Sequence, residues 1–358
     1  MKVLFLYRYG ILGGVCTQLF HRFRHLPKES EIEIHCGFRS DHGIQEMLSP
    51  YATLHFGLNK ETTKQFLQEH HFDKIIIIDS EEFIEAIREV ELDATIIIEV
   101  HTSIERNLEY LSRINISDVD SIVTVSKYMI DRIQHHIQPE LMEMKIERFQ
   151  NVLDTEIFVQ SEISSEGPPV IAWVGKIDDH KDWKAFMQSS SKIHKIDSEV
   201  EFWIIGGQTC PESRVLEVFD FAEEMDILGR FRWIDRIENM KMPVLYSLVA
   251  ERGGLSLVTS HCESFGMSVL ESLLTGCPIV SSDVGALPEI TPPDIHFQLY
   301  KLHDYAAAAK LCLEVMSKPL QIKNSLHAIR DSLVNEYSSK TRSSEYWNLI
   351  KSRGVNNE

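Results

Sequence analysis

Short apolar runs alternate with amphipathic segments along most of the chain. Five runs in the first half are rich in Ile and Val: Val3–Tyr7, Ile32–Cys36, Lys74–Ile78, Thr95–Val100 and Ser121–Val125. Between the first two, the segment Val15–Leu26 places Val15, Leu19, Phe23 and Leu26 on one helical stripe. Nearly continuous apolar strands separated by amphipathic helices are typical of a parallel sheet covered on both faces. The pattern therefore predicts an α/β fold for this half.

The same alternation begins again after a polar, breaker-rich segment at residues 161–169. Further strands are predicted at Val170–Val174, Val200–Ile205, Phe231–Ile234, Leu255–Thr259 and Pro278–Ser281. We therefore predict two doubly wound domains, residues 1–163 and 164–338. Ligands of such sheets bind beyond the carboxyl ends of the strands, so two facing domains are expected to share one cleft.

The composition is typical of a globular protein, and the charge is acidic. The 358 residues include 54 Asp and Glu against 36 Lys and Arg, a net charge of -18. That charge argues against nucleic acid as the main partner, because binding to phosphate backbones relies on a basic excess. No apolar run is long enough to span a membrane. The apolar N-terminus is interrupted by Arg8 and has no cleavage site typical of a signal peptide.

The six cysteines are scattered along the chain and form no C-x-x-C pair. We expect them to be free thiols in a reducing cytosol. The expected location is therefore cytoplasmic, with at most peripheral contact at the inner face of a membrane.

The segment Glu263–Glu271 combines features of a phosphate site with two carboxylates. A helix is predicted to begin near Met267, and Gly266 before it allows close approach of the backbone to a ligand. The first amides of a helix are unpaired and carry the positive end of its dipole, which favours phosphate. Glu263 precedes this turn, and Glu271 lies just over one turn inside the helix. Such carboxylates either interact with the dipole or accept two vicinal hydroxyls of a ribose or sugar.

Two lysines follow the predicted strand Val170–Val174. Lys176 and Lys181 lie in the loop that begins at Gly175. One lysine after a strand is usually a solvated charge, and this reading stays open for Lys176. Two on one loop suit a diphosphate leaving group, whose developing charge must be neutralised.

These segments resemble retaining glycosyltransferase family 4. The stretch Glu263–Glu271 is similar to the E-x7-E signature of that family, and Gly276–Ile290 to its G-x-P-V-V…G-x-x-E run. The loop Gly175–Lys181 resembles the family's G-R-x4-K element, with Lys176 in place of the usual arginine. Lysine keeps the charge but loses the bidentate fork. The resemblance implies the GT-B fold, two doubly wound Rossmann-like domains facing a cleft, with a final helix at about 339–358 joined to the first domain.

The resemblance also implies roles for residues of the predicted second domain. By this match, Glu263 contacts the donor sugar and Glu271 holds the nucleotide ribose. Lys176 and Lys181 hold the donor diphosphate. The amides of Gly266 and Met267, at the start of the helix, complete the diphosphate site.

In the first domain the resemblance points to a glycine-rich loop and a histidine. Gly13 and Gly14 follow the first strand in a loop that does not match G-x-G-x-x-G. It is similar to the family's glycine-rich loop, which approaches the donor phosphates, although glycines at such a turn can be purely structural. His101 closes the strand Thr95–Val100 and resembles the family's histidine that touches the donor sugar near the reacting centre.

The resemblance implies a retaining glycosyltransferase of the hexosyltransferase type. It would move a sugar from a UDP- or GDP-linked donor to a glycan, a lipid-linked or a small-molecule acceptor. The departing diphosphate would take the acceptor proton, and no cofactor is expected because the nucleotide sugar is a substrate. A GT-B epimerase and a catalytically silent GT-B partner of another transferase remain alternatives.

No metal ion is expected either. Asp118-Val119-Asp120 matches the D-x-D pattern of metal-dependent transferases, but it precedes a strand rather than ending one. We therefore interpret it as an ordinary connection between two elements. Apart from His101, the histidines show no spacing along the chain that is typical of metal ligands.

Overall fold

The computed structural model describes residues 1–27, 31–207 and 210–352, without the side chains of residues 296 and 297. The chain divides into two compact units. The first is Met1–Asp154 with the C-terminal segment from Tyr337, and the second is Thr155–Glu336. The boundary predicted from the sequence, after residue 163, lies later, in the extended segment before the second sheet.

The first unit is built on a parallel sheet of seven strands in the order β5-β3-β1-β6-β7-β8-β9. Its strands, with the short pair β2 and β4, are β1 (Lys2–Tyr7), β2 (Gly10–Ile11), β3 (Glu33–Gly37), β4 (Asp41–His42), β5 (Thr53–His55), β6 (Lys74–Ile78), β7 (Thr95–Val100), β8 (Ser121–Thr124) and β9 (Ile146–Arg148). Its helices are α1 (Gly14–Arg24), α2 (Gln45–Leu48), α3 (Lys60–Glu69), α4 (Glu81–Ile87) and α5 (Lys127–Gln134).

The second unit has a parallel sheet of six strands in the order β12-β11-β10-β13-β14-β15. The strands are β10 (Val170–Val174), β11 (Glu201–Ile205), β12 (Phe231–Ile234), β13 (Leu255–Val258), β14 (Ile279–Ser282) and β15 (Leu299–Tyr300). The helices are α6 (Trp183–His194), α7 (Glu212–Glu224), α8 (Met242–Glu251), α9 (Met267–Leu274), α10 (Leu287–Ile290), α11 (Tyr305–Met316) and α12 (Pro319–Tyr337).

The long central strands agree with the sequence pattern, and the short ones do not. Each of the ten strands predicted from apolar runs is present, with ends that differ by no more than one residue. The sequence missed β5, β9 and β15, which are two or three residues long and lie at the edges of the sheets. Edge strands bury fewer side chains, so they leave a weak hydrophobic signal.

The last helix, α13 (Ser339–Ser352), packs in the first unit. Trp347 is buried between Phe5 and Phe23, with ring centroids 6.2 Å and 6.1 Å away. Its indole N–H donates to the carbonyl of Arg22 at 3.3 Å. The amide of Leu153 also donates to the carbonyl of Tyr337, at 2.8 Å, so the end of the unit's first segment is joined to the start of its second.

The D-x-D pair has structural partners. The Asp118 carboxylate accepts a hydrogen bond and a salt bridge from Arg88. Asp120 accepts from the amide of Ile96 at 2.7 Å, which joins the turn before β8 to β7. Both carboxylates therefore organise the edge of the sheet. All six cysteines lie in the described residues, and none forms a disulfide. In the same residues, no helix has both the length and the apolar character needed to span a membrane.

Candidate active site

The strand order of the second unit brings two site loops together. The strand β10 lies between β11 and β13, so the direction of winding reverses beside it. The loops that follow β10 and β13 therefore leave the same edge of the sheet as neighbours, which is where open α/β sheets bind ligands. The first loop carries Lys176 and Lys181, and the second carries Glu263.

Glu263 and Lys181 meet between these loops. The Lys181 ammonium contacts the Glu263 carboxylate, and the Ser260 hydroxyl donates to the same oxygen at 2.6 Å. Glu263 is only 8% exposed. Burial by itself raises the pKa of Glu263, but the Lys181 charge and the Lys181 and Ser260 hydrogen bonds outweigh it, so the pKa lies below its usual value. The carboxylate is therefore ionised at neutral pH.

The backbone of the loop that carries Lys176 and Lys181 is held by hydrogen bonds to Thr259, which follows the neighbouring strand β13, and by a bond within the loop. The Thr259 hydroxyl bonds to the carbonyls of Lys181 and Asp182 at 2.9 and 2.8 Å. The Trp173 indole N–H donates to the same hydroxyl at 2.9 Å. The amide of Lys181 donates to the Asp178 carboxylate at 2.9 Å. These contacts set the position of Lys181, whereas Lys176 lies exposed at the start of the loop.

The start of α9 is shaped by two glycines. Gly266, the residue before the helix, has φ 105°, and an added Cβ would lie 2.4 Å from a methyl of Leu287. At Gly285 an added Cβ would lie 2.3 Å from the carbonyl oxygen of Glu263. Gly266 has no side chain to cap the helix, so the amides that begin at Met267 are available to an anion.

Glu271 is a buried acid without a cationic partner among its hydrogen bonds. It lies one turn inside α9 and is 6% exposed. The Asn239 amide and the Tyr246 hydroxyl donate to it, each at 3.4 Å, which is long for a hydrogen bond. Burial raises the pKa of Glu271 to about 7, and these two donors reduce the shift only in part. The carboxyl can therefore gain or lose its proton near neutral pH.

In the first unit His101 is held at the end of β7. Its Nε2 lies 3.0 Å from the Glu99 carboxylate. Its backbone amide donates to both oxygens of Asp79, at 3.0 and 3.2 Å. Asp79 itself adopts φ 42°, and burial raises its pKa to about 6 although the contacts with His101 lower it. The His101 side chain is 6% exposed, so its orientation is fixed by these neighbours.

Glu99 joins this histidine to the core of its unit. Its carboxylate contacts Arg22 Nη1 at 2.5 Å and accepts from the Tyr346 hydroxyl at 3.1 Å. Burial raises the pKa of Glu99, but the contacts with Arg22 and His101 lower it by more than burial raises it. The pKa therefore lies below its usual value. The Arg22 guanidinium also lies 4.1 Å from the centre of the Tyr346 ring. His101 is thus part of a buried charged network.

The glycine-rich loop has one glycine that packing requires and one that it does not. At Gly10 an added Cβ would lie 2.0 Å from the carbonyl oxygen of Ser40. At Gly14, the first residue of α1, an added Cβ would meet nothing within 4 Å. Gly13 before it is extended, with φ −174°. Open space at Gly14 is what the approach of a ligand needs.

Five contact residues at these sites were not identified from the sequence. Ser260 has a local signal, because it lies three residues before Glu263 in the same loop. The others are brought in by the fold from separate parts of the chain: Asn239 and Tyr246 beside Glu271, and Glu99 and Asp79 beside His101.

Comparison with known proteins gives a family match that coincides closely with the second unit. Residues 154–331 match the family described as glycosyl transferases group 1. Glycogen synthase of Mycobacterium tuberculosis is 22% identical over 227 residues, which cover 63% of this chain and 52% of that protein. Sucrose synthase isoform 1 of Daucus carota is 24% identical over 136 residues, 36% of this chain and 17% of that protein. The chain thus spans about half or less of the length of these relatives.

Solved structures resemble the whole chain at low sequence identity. The crystal structure of Anabaena HepE in complex with UDP and glucose has a TM-score of 0.83 and 14% identity. The match covers 98% of this chain and 100% of that one. This likeness, with the two parallel sheets described above, shows the GT-B fold. Residues 154–331 thus match the glycosyl transferases group 1 family, within a chain of GT-B fold.

Proposed function

We propose that the protein is a retaining glycosyltransferase of family 4 type that takes a hexose from a nucleotide sugar. The observation that carries this proposal is the ionised Glu263 held by Lys181 and Ser260 beside the first turn of α9. An acidic group at the sugar position next to cationic and amide donors suits a sugar linked to a diphosphate. Glycogen synthase and sucrose synthase among the relatives support the same reaction class.

Donor binding is assigned to the second unit. Lys181, Lys176 and the amides of Gly266 and Met267 hold the diphosphate. Glu271 accepts hydrogen bonds from the ribose hydroxyls, which suits a buried carboxyl whose present donors lie at 3.4 Å. UDP- and GDP-linked sugars both fit this assignment. UDP is the first to test, since HepE was crystallised with UDP and glucose.

These groups suit transfer of the sugar with retention of configuration at the anomeric carbon. The bond between the anomeric carbon and the diphosphate oxygen breaks, and the acceptor oxygen bonds to the same face of the carbon. The acceptor proton passes to the departing diphosphate, whose charge Lys181 stabilises. In the second unit, Glu263 is assigned to position the sugar. In the first unit, the family resemblance assigns a sugar contact to His101 and phosphate contacts to Gly13 and Gly14. The proposed transfer needs no metal ion and no cofactor.

The acceptor is proposed to be a glycan, a lipid-linked glycan or a small molecule in the cytoplasm. The acceptor-binding site is assigned to the first unit. Nucleic acid is not proposed as a partner, because the net charge is -18. Contact with a membrane, if the acceptor is lipid-linked, would be peripheral.

A thermal-shift panel tests the donor class. UDP, GDP, ADP and their sugars are added to the purified chain, and one nucleotide is expected to raise the melting temperature above the others. Turnover is then measured with the selected sugar nucleotide, with and without acceptors, and the anomeric configuration of the product is read by NMR. A product formed from donor alone with an inverted sugar centre would indicate an epimerase instead. No binding and no turnover across the panel would indicate a silent partner protein.

Two glutamate variants separate the assigned roles. Glu271→Ala is expected to weaken nucleotide binding in calorimetry by about tenfold or more, because a hydrogen-bonding carboxylate is lost. Glu263→Ala is expected mainly to reduce turnover. Glu251→Ala, at an exposed position in α8, is the matched control and should change neither. Unchanged nucleotide affinity in Glu271→Ala would contradict the ribose role.

A further inference from the structure

Three side chains of the kind that bind metal ions lie together in the second unit. They are Asp182, His261 and His303, and one candidate ligand atom from each lies within 4.8 Å of the other two. Among residues 1–27, 31–207 and 210–352, this is the one group of three or more His, Cys, Asp or Glu side chains with such geometry. Each residue comes from a loop that follows a different strand, β10, β13 or β15.

The orientation of Asp182 leaves one oxygen directed at the histidines. Asp182 precedes α6, and its Oδ1 accepts from the amide of Ala185 at 3.1 Å. Its Oδ2 lies 2.8 Å from His261 Nε2. The His261 and His303 rings stand edge to face with centroids 5.3 Å apart. The Asp182 side chain is 14% exposed and that of His261 is 42% exposed, so an ion can enter from solvent.

We propose that Asp182, His261 and His303 bind one divalent transition-metal ion, with Zn²⁺ the best match. Two imidazoles and one carboxylate with a water molecule in the fourth position form a usual tetrahedral zinc set. Ligand atoms on a tetrahedral Zn²⁺ ion lie about 3.4 Å apart. The pair now separated by 2.8 Å must open slightly, and pairs up to 4.8 Å apart must close. The ion takes the place of the hydrogen bond between Asp182 Oδ2 and His261 Nε2, and the imidazole then carries its proton on Nδ1.

The ion would join the two loops of the candidate donor site. Asp182 directly follows Lys181, and His261 lies between Ser260 and Glu263. These loops are already joined by the hydrogen bond from the His261 amide to the His180 carbonyl at 2.9 Å. A metal bridge would add a link between side chains and hold the β15 loop to them through His303. The proposed role of the ion is to hold these loops together, and it takes no part in the transfer step.

This site departs from the expectation that the chain binds no metal. Its three residues are spread over more than a hundred positions, so their spacing carries no signal of a metal site. Binding of the ion does not depend on the proposed transferase activity. Only the expected value of the ion for donor binding, through the loops of Lys181 and Glu263, rests on that function.

Titration of the chelator-treated full chain with ZnCl₂ in a calorimeter tests the proposal. We expect one ion per chain with a Kd of about 1 μM or below. Titration with Co²⁺ should give the visible absorption of a four-coordinate ion, without the near-ultraviolet band of a thiolate ligand. Zn²⁺ should also raise the melting temperature, because it binds the folded chain preferentially.

Conservative variants locate the ion. His303→Asn retains a residue that tolerates the positive φ of 67°, and Asp182→Asn retains the oxygen that caps α6. Each is expected to weaken Zn²⁺ binding at least tenfold. His327→Asn, at an exposed position on α12, is the matched control and should bind as the wild type does. The proposal is overturned if the wild type does not bind, if binding is unchanged in both ligand variants, or if cobalt reports a cysteine ligand.

Discussion

Two buried glutamates, Glu99 in the first unit and Glu271 in the second, lie in opposite electrostatic surroundings. Glu99 is 1% exposed and contacts Arg22, Tyr346 and His101. Glu271 is 6% exposed and receives two neutral donors at 3.4 Å. Burial raises the pKa of both carboxyls. Arg22 and His101 reverse that shift at Glu99, whereas the pKa of Glu271 remains at about 7.

The difference distinguishes Glu99, a carboxylate that stabilises the fold, from Glu271, a carboxylate that is available to bind a ligand. Glu99 ties β7 to α1 and α13, and its charge is compensated by the protein itself. Glu271 is buried without such compensation, which is typical of functional rather than structural sites. Removing the first should therefore damage stability. Removing the second should damage ligand binding while stability is preserved or improved.

The largest effect is expected from Glu99→Gln. This change keeps the shape of the side chain but leaves the buried Arg22 guanidinium without its carboxylate. Loss of one partner of a buried ion pair costs about 3–5 kcal/mol, and the free energy of unfolding in urea should fall by that amount. Activity should fall as well, since the group 3.0 Å from His101 Nε2 is no longer a charged carboxylate.

A surface ion pair provides the control for Glu99→Gln. Glu81 and Arg113 pair with side chains that are 38% and 54% exposed, so Glu81→Gln should cost less than about 1 kcal/mol. Adding Arg22→Met to Glu99→Gln should recover part of the lost stability, because no unpaired charge remains buried. Equal losses in the two single variants would remove the distinction drawn for Glu99.

The parts of the molecule that local sequence determines were predicted well. The run of isoleucines in β6 and the apolar residues of β10 indicate buried strands because every residue in them must avoid water. The turn before α9 was also predicted, since Gly266 and the periodicity after Met267 are local signals. Lys181 and Glu263 could be placed in neighbouring loops because parallel strands end at one edge of a sheet.

The remaining features depend on contacts between distant parts of the chain. Glu99 reads from the sequence as a polar residue within a strand, and its partners lie on α1 and α13. Nothing in the local pattern shows that Tyr346 will donate to it. The cluster of Asp182, His261 and His303 is similarly formed by three separate loops. Burial and charge compensation arise only once these elements pack.

The next largest effect is expected at Lys181, where both the fold and the reaction use the same charge. Lys181→Met keeps the length of the side chain and removes the ammonium that contacts Glu263. Loss of one group that stabilises developing charge costs about 10²–10³ in kcat. Without that cation, the pKa of the buried Glu263 should rise, so the residual activity should move toward higher pH.

A neighbouring lysine provides the control for Lys181→Met. Lys184 lies on α6 and pairs with Glu217 on the surface, where their side chains are 45% and 40% exposed. Steady-state kinetics should show that Lys184→Met retains the wild-type kcat and pH profile. A Lys181→Met enzyme with normal kcat would assign Lys181 to structure alone, as Arg22 is in the first unit.

The smallest effect is a pH dependence that belongs to Glu271. Its pKa in the folded protein is about 7 against a usual 4.5, so the folded chain holds one more proton between these values. Stability should therefore fall as pH rises through this window, and the loss is complete above about 7. Ribose hydroxyls donate to the ionised carboxylate, so the affinity for a nucleotide sugar should rise with pH by up to about tenfold per unit below 7.

Calorimetry with UDP-glucose from pH 5 to 8 measures this slope, because the diphosphate of a nucleotide sugar does not titrate in that range, whereas that of free UDP does. Glu271→Gln should bind more weakly at pH 8 and show no such slope, since the amide does not ionise. Its unfolding free energy should also lose the decline between about 4.5 and about 7. A slope that persists in Glu271→Gln would assign the proton to another group. Glu99→Gln should retain the slope, because Glu99 has a low pKa and is ionised throughout this range.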